Sequence, residues 1–258
     1  MKSCAILLGA FLWLGSAWAQ NSPHTQDEPV RARYLIDGLF FTEHPEPLPA
    51  GQLSLGVVKD SLGGEVSVVA FPKGTHLSAE AAELAVPVER VFCGEALLQA
   101  AQTARLFSVS TMPPAPLLCG VGDSLPAFSE TDDTGRQWSN RDFEGRSVVL
   151  NFWHTGCKPC IGEMPELNRW IDACPDALFL SVTWNTAEQI RPIVERQRFA
   201  FHHLVAARGL WDALGVRQTP VTIIVDRKGI IRRVEIGTST LQRRRLLNCL
   251  KDVETENE

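Results

Sequence analysis

Past its first twenty residues, the sequence lacks several features that would decide its class at once. It has no apolar run near the roughly 20 residues that span a bilayer, so no transmembrane helix is predicted there. It has no basic excess: Lys and Arg number 25 against 30 Asp and Glu, a net charge of −5. That balance argues against nucleic acid or an acidic membrane surface as a partner. It has one Cys-x-x-Cys and no second such pair. A structural zinc site takes four ligands and this pair offers two, so no metal is expected.

What is present begins with Met1-Lys2-Ser3, an apolar core from Cys4 to Leu14, and Ala17-Trp18-Ala19. A short basic end, an apolar stretch and a small-x-small site read as a secretory signal peptide, residues 1–19, cut after Ala19. The run is shorter than a membrane anchor requires, and Cys4 stands ahead of the apolar core, so no lipid-attachment box is evident. Cleavage would remove Lys2 and bring the net charge to −6. Export also leaves an even set of cysteines: Cys93, Cys119, Cys157, Cys160, Cys174 and Cys249. In an oxidising compartment such a set fits three disulfides. Cys157–Cys160 is the most secure on local geometry. Nearness of the inferred segments suggests Cys93–Cys119 and Cys174–Cys249, the alternative being free buried thiols that pack as small hydrophobes.

The chain turns on residues 147–166. Ser147-Val148-Val149-Leu150-Asn151-Phe152-Trp153 reads as a buried strand. Ile161, Met164, Leu167, Trp170 and Ile171 mark the apolar face of a following helix. Cys157-Lys158-Pro159-Cys160 therefore sits where a strand hands over to a helix. There the unpaired backbone N–H groups and the helix dipole favour an anion, so the Cys157 thiol should ionise readily. Lys158 adds positive charge beside it, with a solvated side chain as the alternative reading; Pro159 stiffens the turn. Glu163 falls on the same helix face as Cys160. Partly buried, its carboxyl would have a raised pKa and could exchange a proton with Cys160; the alternative is an ordinary first-turn glutamate. Glu166 reads as solvated. His154, three residues before Cys157, reads as a strand-end histidine that packs or meets solvent, and His202-His203 as structural. Arg243-Arg244-Arg245 reads as the solvated face of the last helix, and Trp153 and Trp184 as core or near-site aromatics.

Three strand-like stretches precede this region, Tyr34–Phe41, Gln52–Val58 and Glu65–Phe71, followed by helical patterns near Ser78–Leu84 and Gly94–Leu106. Pro45, Pro47 and Pro49 interrupt the first two strands, and Lys59-Asp60-Ser61-Leu62-Gly63-Gly64 suits a hairpin turn between the second and third. This is a small β-rich domain with no catalytic constellation of its own; client selection or oligomerisation is the hypothesis for its role. Met112-Pro113-Pro114-Ala115-Pro116 reads as a semi-rigid linker. The expected organisation is a signal peptide at 1–19, the β-rich domain with its linker at 20–115, and a second domain at 116–258. Beyond the linker the order is β-α-β-α-β-β-α, which predicts a mixed sheet with helices on both faces. Its second helix, Thr186–Arg198, starts with capping-box spacing at Thr186 and Gln189. Pro192 inside it demands a kink or a late start.

Several motifs carry a family resemblance. They are Val121-Gly122-Asp123, Pro126-Ala127-Phe128, Val149-Leu150-Asn151-Phe152-Trp153, Gly156-Cys157-Lys158-Pro159-Cys160, Glu163-Met164-Pro165-Glu166-Leu167 and Gly215-Val216-Arg217-Gln218-Thr219-Pro220. Over about Val121–Val253 the chain resembles the TlpA/ResA-like thioredoxin-fold thiol–disulfide oxidoreductases of the bacterial cell envelope. The residue before the first cysteine, usually Trp in thioredoxins, is Gly156 here. The resemblance implies Cys157 as attacking thiolate, Cys160 as resolving thiol and an acidic residue at Glu163. It also implies a cis Pro220 facing the dithiol, with Thr219 before it open to a substrate's extended backbone. It implies a periplasmic or envelope location and a reductant of exported disulfide-containing clients, of the apocytochrome c or metal-site assembly kind, recharged by a membrane or thioredoxin-like electron donor.

Three rivals were weighed. A peroxidase of the same fold needs Pro-x-x-x-Thr/Ser-x-x-Cys, and counting back from Cys157 gives His154 and Leu150. A copper-type thiolate module is the second. The third, an oxidase or isomerase of the same fold, differs only in redox poise. The reading is a protein-disulfide oxidoreductase that needs no cofactor beyond its own thiols.

Overall fold

The computed structural model describes residues 28–143 and 145–256. The expected signal peptide lies outside the described residues. Two five-stranded sheets and one small two-stranded sheet carry the fold. No helix among the described residues is long and apolar enough to cross a membrane.

The first sheet comprises β1 (Tyr34–Ile36), β2 (Leu39–Phe41), β3 (Gly51–Lys59), β4 (Glu65–Ala70) and β5 (Phe107–Thr111), in the spatial order β2-β1-β4-β3-β5. Tyr34–Phe41, expected as one strand, is a hairpin. Asp37 (φ 50°) and Gly38 (φ 79°) both take the left-handed conformation that a two-residue loop requires. The β3–β4 turn forms as expected, with the Asp60 carboxylate accepting from the N–H groups of Leu62 and Gly64, both at 2.8 Å. Helices α1 (Ala79–Ala82) and α2 (Gly94–Thr103) follow β4. Gly94 opens α2 because a Cβ there would lie 2.3 Å from the Val88 carbonyl oxygen. Strand β5, which the residue pattern did not announce, pairs with β3 at the sheet edge and leaves Phe107 and Val109 exposed.

The second part begins with the hairpin β6 (Ser129–Thr131) and β7 (Gln137–Ser139). It continues as β8 (Val148–Phe152), α3 (Lys158–Ala173), β9 (Leu178–Val182), α4 (Ala187–Gln197), β10 (His202–Leu204), α5 (Arg208–Leu214), β11 (Val221–Val225), β12 (Ile231–Ile236) and α6 (Thr240–Thr255). The sheet order is β10-β9-β8-β11-β12, with β8, β9 and β10 parallel and β11 antiparallel to both its neighbours. This is a thioredoxin-like α/β fold, preceded by the N-terminal sheet region. Helix α4 starts at Ala187 and continues past Pro192 to Gln197, so no late start is needed. The Gln189 side chain accepts from the Thr186 N–H at 3.0 Å, as the spacing there anticipated.

The pleat decides what faces what. Val148, Leu150 and Phe152 of β8 point into one core together with Leu178, Leu180, Val221 and Ile223. Val149 and Trp153 point to the other face, into a core with Met164, Leu167 and Trp170 of α3 and Leu246 and Leu250 of α6. The residue between them, Asn151, is therefore aimed at the α3 side. Its register partners Ser181 and Thr222 are buried beside it. A line of three polar side chains thus crosses the three central, otherwise apolar strands β9, β8 and β11 under the helix that carries the cysteines.

Apart from Cys157 and Cys160, the cysteines among the described residues are free thiols, which corrects the expected pairs. Cys93 packs against the core of the N-terminal region, its Sγ 3.2 Å from Ser61 Oγ, whereas Cys119 packs against the separate core of the second sheet. Cys174, at the end of α3, lies near Lys251 and Glu254 of α6, whereas Cys249, within α6, lies near Arg232 and Arg233 of β12. Burial pushes both of these thiols up, away from reactivity.

Because Leu180 is fully buried in the central sheet and Leu62 is 67% exposed, two substitutions should separate. Leu180→Ala should lower the unfolding free energy by about 2–5 kcal/mol. Leu62→Ala should change it by no more than about 0.5 kcal/mol. Guanidinium denaturation of the two variants checks this, and equal losses would contradict the core described above.

Candidate functional site

Cys157 is the N-cap residue of α3, with Lys158 and Pro159 as the first two helical positions. The Cys157 Sγ accepts from the Cys160 N–H at 3.3 Å, so this sulfur sits where the helix presents unpaired donors. In the structure the two cysteines are joined in a disulfide, S–S 1.97 Å with Cα atoms 5.3 Å apart. Cys157 keeps 6% of its surface exposed and Cys160 none. An incoming partner can therefore reach only the outer sulfur.

The loop before the helix is held by a side chain from the loop after β9 and by its own backbone. The Thr155 N–H donates to Asn185 Oδ1 at 3.0 Å, and the Cys157 N–H to the His154 carbonyl at 3.0 Å. His154 does more than end the strand. Its Nδ1 accepts from the Gly156 N–H at 3.1 Å, and its ring stacks on Trp184 at 4.7 Å and 15°. Arg208 lies 4.9 Å from the Trp184 ring centroid. Accepting at Nδ1 assigns the ring proton to Nε2, and burial lowers the His154 pKa. A Cβ on residue 156 would lie 3.3 Å from this ring. The glycine that replaces the usual Trp thus makes room for a His154–Trp184 stack beside the disulfide.

Glu163 lies one turn along α3 from Cys160 and is buried. Asn151 Nδ2 donates to Glu163 Oε1 at 3.0 Å and to Thr222 Oγ1 at 3.0 Å. Desolvation raises the Glu163 pKa to about 7, against the opposing pull of hydrogen bonds from Thr238 and Asn151 and of the Arg243 charge. A carboxyl held near neutrality can both give and take a proton. A cavity of about 360 Å³ opens beside it, with Pro159, Gly162 and Glu163 of α3 on one side and Tyr34, Glu43 and His44 of the N-terminal region on the other.

The remaining expected residues fall as follows. The Thr219–Pro220 bond is cis. Val221 pairs with Phe152, so Pro220 stands next to the end of β8 that runs into the cysteine loop. Its carbonyl is taken by the Gly237 N–H at 2.8 Å, and Thr219 is only half-buried. Lys158 is exposed and makes no ion pair among the described residues. Glu166 is half-exposed, 4.0 Å from Arg169. His203 is structural, bonded to Ser181 Oγ at 2.7 Å and the Phe199 carbonyl at 3.1 Å. Arg243-Arg244-Arg245 is not a solvated face: Arg243 is bonded to Glu43 and Thr238, and Arg244 and Arg245 both reach Glu80, at 2.7 and 2.8 Å. Sequence reasoning also passed over Asn151 and Thr238. A lone amide within the apolar run Val148–Trp153 was the available signal for the first; Thr238 carried none.

Comparison with known proteins bears on this geometry. Residues 121–234 match the AhpC/TSA family. The thioredoxin-like protein YneN of Bacillus subtilis is 34% identical over 124 residues, 46% of this chain and 73% of that protein. The thiol-disulfide oxidoreductase ResA of Geobacillus thermodenitrificans is 31% identical over 124 residues, 46% of this chain and 71% of that protein. Among solved structures, a Bacteroides thetaiotaomicron protein described as a protein disulfide isomerase superposes with a TM-score of 0.52 at 15% identity, covering 56% of this chain and 96% of that one. That likeness speaks to the fold.

The buried Glu163 carries a pH signature. Its pKa rises from 4.5 in the unfolded chain to about 7 on folding. The stability this contributes is fully present below pH 4.5 and is lost as the pH climbs through about 7, a change of roughly 3 kcal/mol. Denaturation of the oxidised protein at pH 5 and pH 8 should show this loss in the wild type and not in Glu163→Gln. Parallel pH dependence in the two proteins would mean that another group titrates.

Proposed function

The chain belongs to the TlpA/ResA-like thioredoxin-fold thiol–disulfide oxidoreductases, and we propose that within them it reduces disulfides of exported client proteins through Cys157 and Cys160. The observation that carries this reading is a recessed disulfide at the start of α3 with a buried carboxyl one turn behind it.

In the reduced protein, the Cys157 thiolate is stabilised by the helix start and attacks one sulfur of a client disulfide. A mixed disulfide forms and the first client thiolate leaves. Cys160 then loses its proton to Glu163 and attacks Cys157 Sγ. The Cys157–Cys160 disulfide closes and the second client thiol is released. Two electrons pass from protein to client. A dithiol donor, membrane-bound or thioredoxin-like, reverses the steps and restores the thiols. Lys158 adds charge next to Cys157, Pro159 fixes the first helical turn, and Thr219 with Pro220 offers an edge for extended client backbone. The His154–Trp184 stack, bonded to Gly156 in the loop before Cys157, offers an aromatic surface for the client beside the thiol. Export through residues 1–19 to the periplasm or cell envelope places the reaction among disulfide-bearing substrates.

The reduction potential of the pair, measured by thiol trapping in graded redox buffers, tests the direction. A value near about −270 mV supports a reductase, and one near about −120 mV an oxidase or isomerase. Cys157→Ser should abolish turnover, and Cys160→Ala should accumulate the mixed disulfide with client, visible by mass. Glu163→Gln should slow turnover about 10- to 100-fold, with the loss greatest above pH 7. Absence of any redox transition at this pair would overturn the reading.

A further inference from the structure

The arginine that faces Glu163 is shared. Arg243 lies in the first turn of α6, and its side chain is 12% exposed. Its Nη1 donates to Thr238 Oγ1 at 2.9 Å, and the Thr238 side chain is in turn bonded to Glu163. Its Nη2 donates to the carboxylate of Glu43. Two carboxylates, 120 residues apart in the chain, thus line one cavity with this guanidinium. Glu43, on the loop after β2, touches it, whereas Glu163, inside the site, feels its charge and meets it through Thr238.

That loop is fixed in place. The first N–H groups of α6, at Thr240 and Leu241, donate to the carbonyls of His44 and Pro45 at 3.1 and 3.0 Å. They are orphan donors that a helix start must satisfy somehow. Glu46 accepts from the N–H and hydroxyl of Ser78 at 2.9 and 2.7 Å, and Glu80, just beyond Ser78, grips Arg244 and Arg245. The N-terminal region therefore holds the start of α6 from two points, and Glu43 immediately precedes the first of them.

We propose that Arg243 is a positioning residue for Glu163, and that the N-terminal sheet region, acting through Glu43, sets the proton affinity of that carboxyl. A guanidinium with no counter-ion would draw Glu163 towards its charged form. Glu43 takes up part of that charge and leaves Glu163 easier to protonate. The other charged or titratable groups around the cavity are Arg33, Tyr34, His44, Glu166 and Arg169. Both variants below leave them in place. The inference rests on Glu163 as the proton-exchanging group of the thiol reaction.

The test follows the Glu163 side-chain carboxyl by carbon NMR in the full-length oxidised protein, where Cys157 and Cys160 do not titrate. The signal is assigned by its absence in Glu163→Gln. Glu43→Gln should move the midpoint to lower pH, Glu43→Asp should restore it, and Arg243→Met should move it to higher pH. A midpoint unchanged in Glu43→Gln overturns the proposal, and that variant decides alone should Arg243→Met fail to fold, because Glu43 is exposed. The functional reading is tested separately. If Glu43→Gln shifts the midpoint while Glu163→Gln leaves the pH profile of turnover intact, the coupling stands and the role of Glu163 in thiol exchange falls.

Discussion

A carboxyl group that is almost wholly buried must be satisfied from several directions at once, and Glu163 is where this chain meets that demand. Strand β8 brings Asn151, the turn after β12 brings Thr238, and α6 brings Arg243. Asn151 could not approach without the pleat of β8, which sends Leu150 and Phe152 into one core and turns Asn151 towards α3. A slip of one residue in the β8–β11 register would put Asn151 in the apolar layer and Leu150 against the carboxyl. The apolar packing of the sheet and the polar partner of Glu163 are thus fixed by one alternation. Disrupting either should disturb the other.

The disulfide depends on the same helix in a different way. Its outer sulfur uses the open end of α3, where donors are unpaired, and its inner sulfur uses the buried side one turn later. Chemistry is thereby divided by depth. Cys157 meets the partner, whereas Cys160 and Glu163 work where water is scarce and small changes in charge have large effects on proton affinity. The His154–Trp184 stack gives the rim an aromatic surface without adding a side chain at position 156.

Legibility in the sequence followed contact range. The strand–cysteine–helix junction, the helix face shared by Cys160 and Glu163, the β3–β4 turn and the α6 boundary depend on residues a few positions apart, and local patterns carried them. The hairpin inside Tyr34–Phe41 turned on one Asp-Gly pair set in a continuous apolar run, where the run outweighed the turn. Strand β5 was obscured because an edge strand exposed along most of its length needs no apolar alternation. Beyond Cys157–Cys160, cysteine pairing could not be read. Parity in an oxidising compartment counts thiols without regard to distance, and Cys93 and Cys119 lie in separate cores. Arg243 looked solvated because its partner Glu43 is 200 residues away.

The α6 start shows why the N-terminal region is best regarded as part of the site. A helix start leaves several N–H groups without partners, and in α6 the carbonyls of His44 and Pro45 take two of them while the Ser239 hydroxyl accepts from Gln242. Remove the N-terminal region and the same helix would lose two acceptors, together with Glu43 and Glu80, the counter-ions of Arg243, Arg244 and Arg245. Three neighbouring guanidinium groups would then repel one another, with one of them beside Glu163. Loss of activity on truncating the N-terminal region would follow from that change in the field around Glu163, whatever clients the first sheet does or does not contact. Single substitutions at Glu43 and Glu80 separate the two effects, because they alter the field and leave the sheet intact.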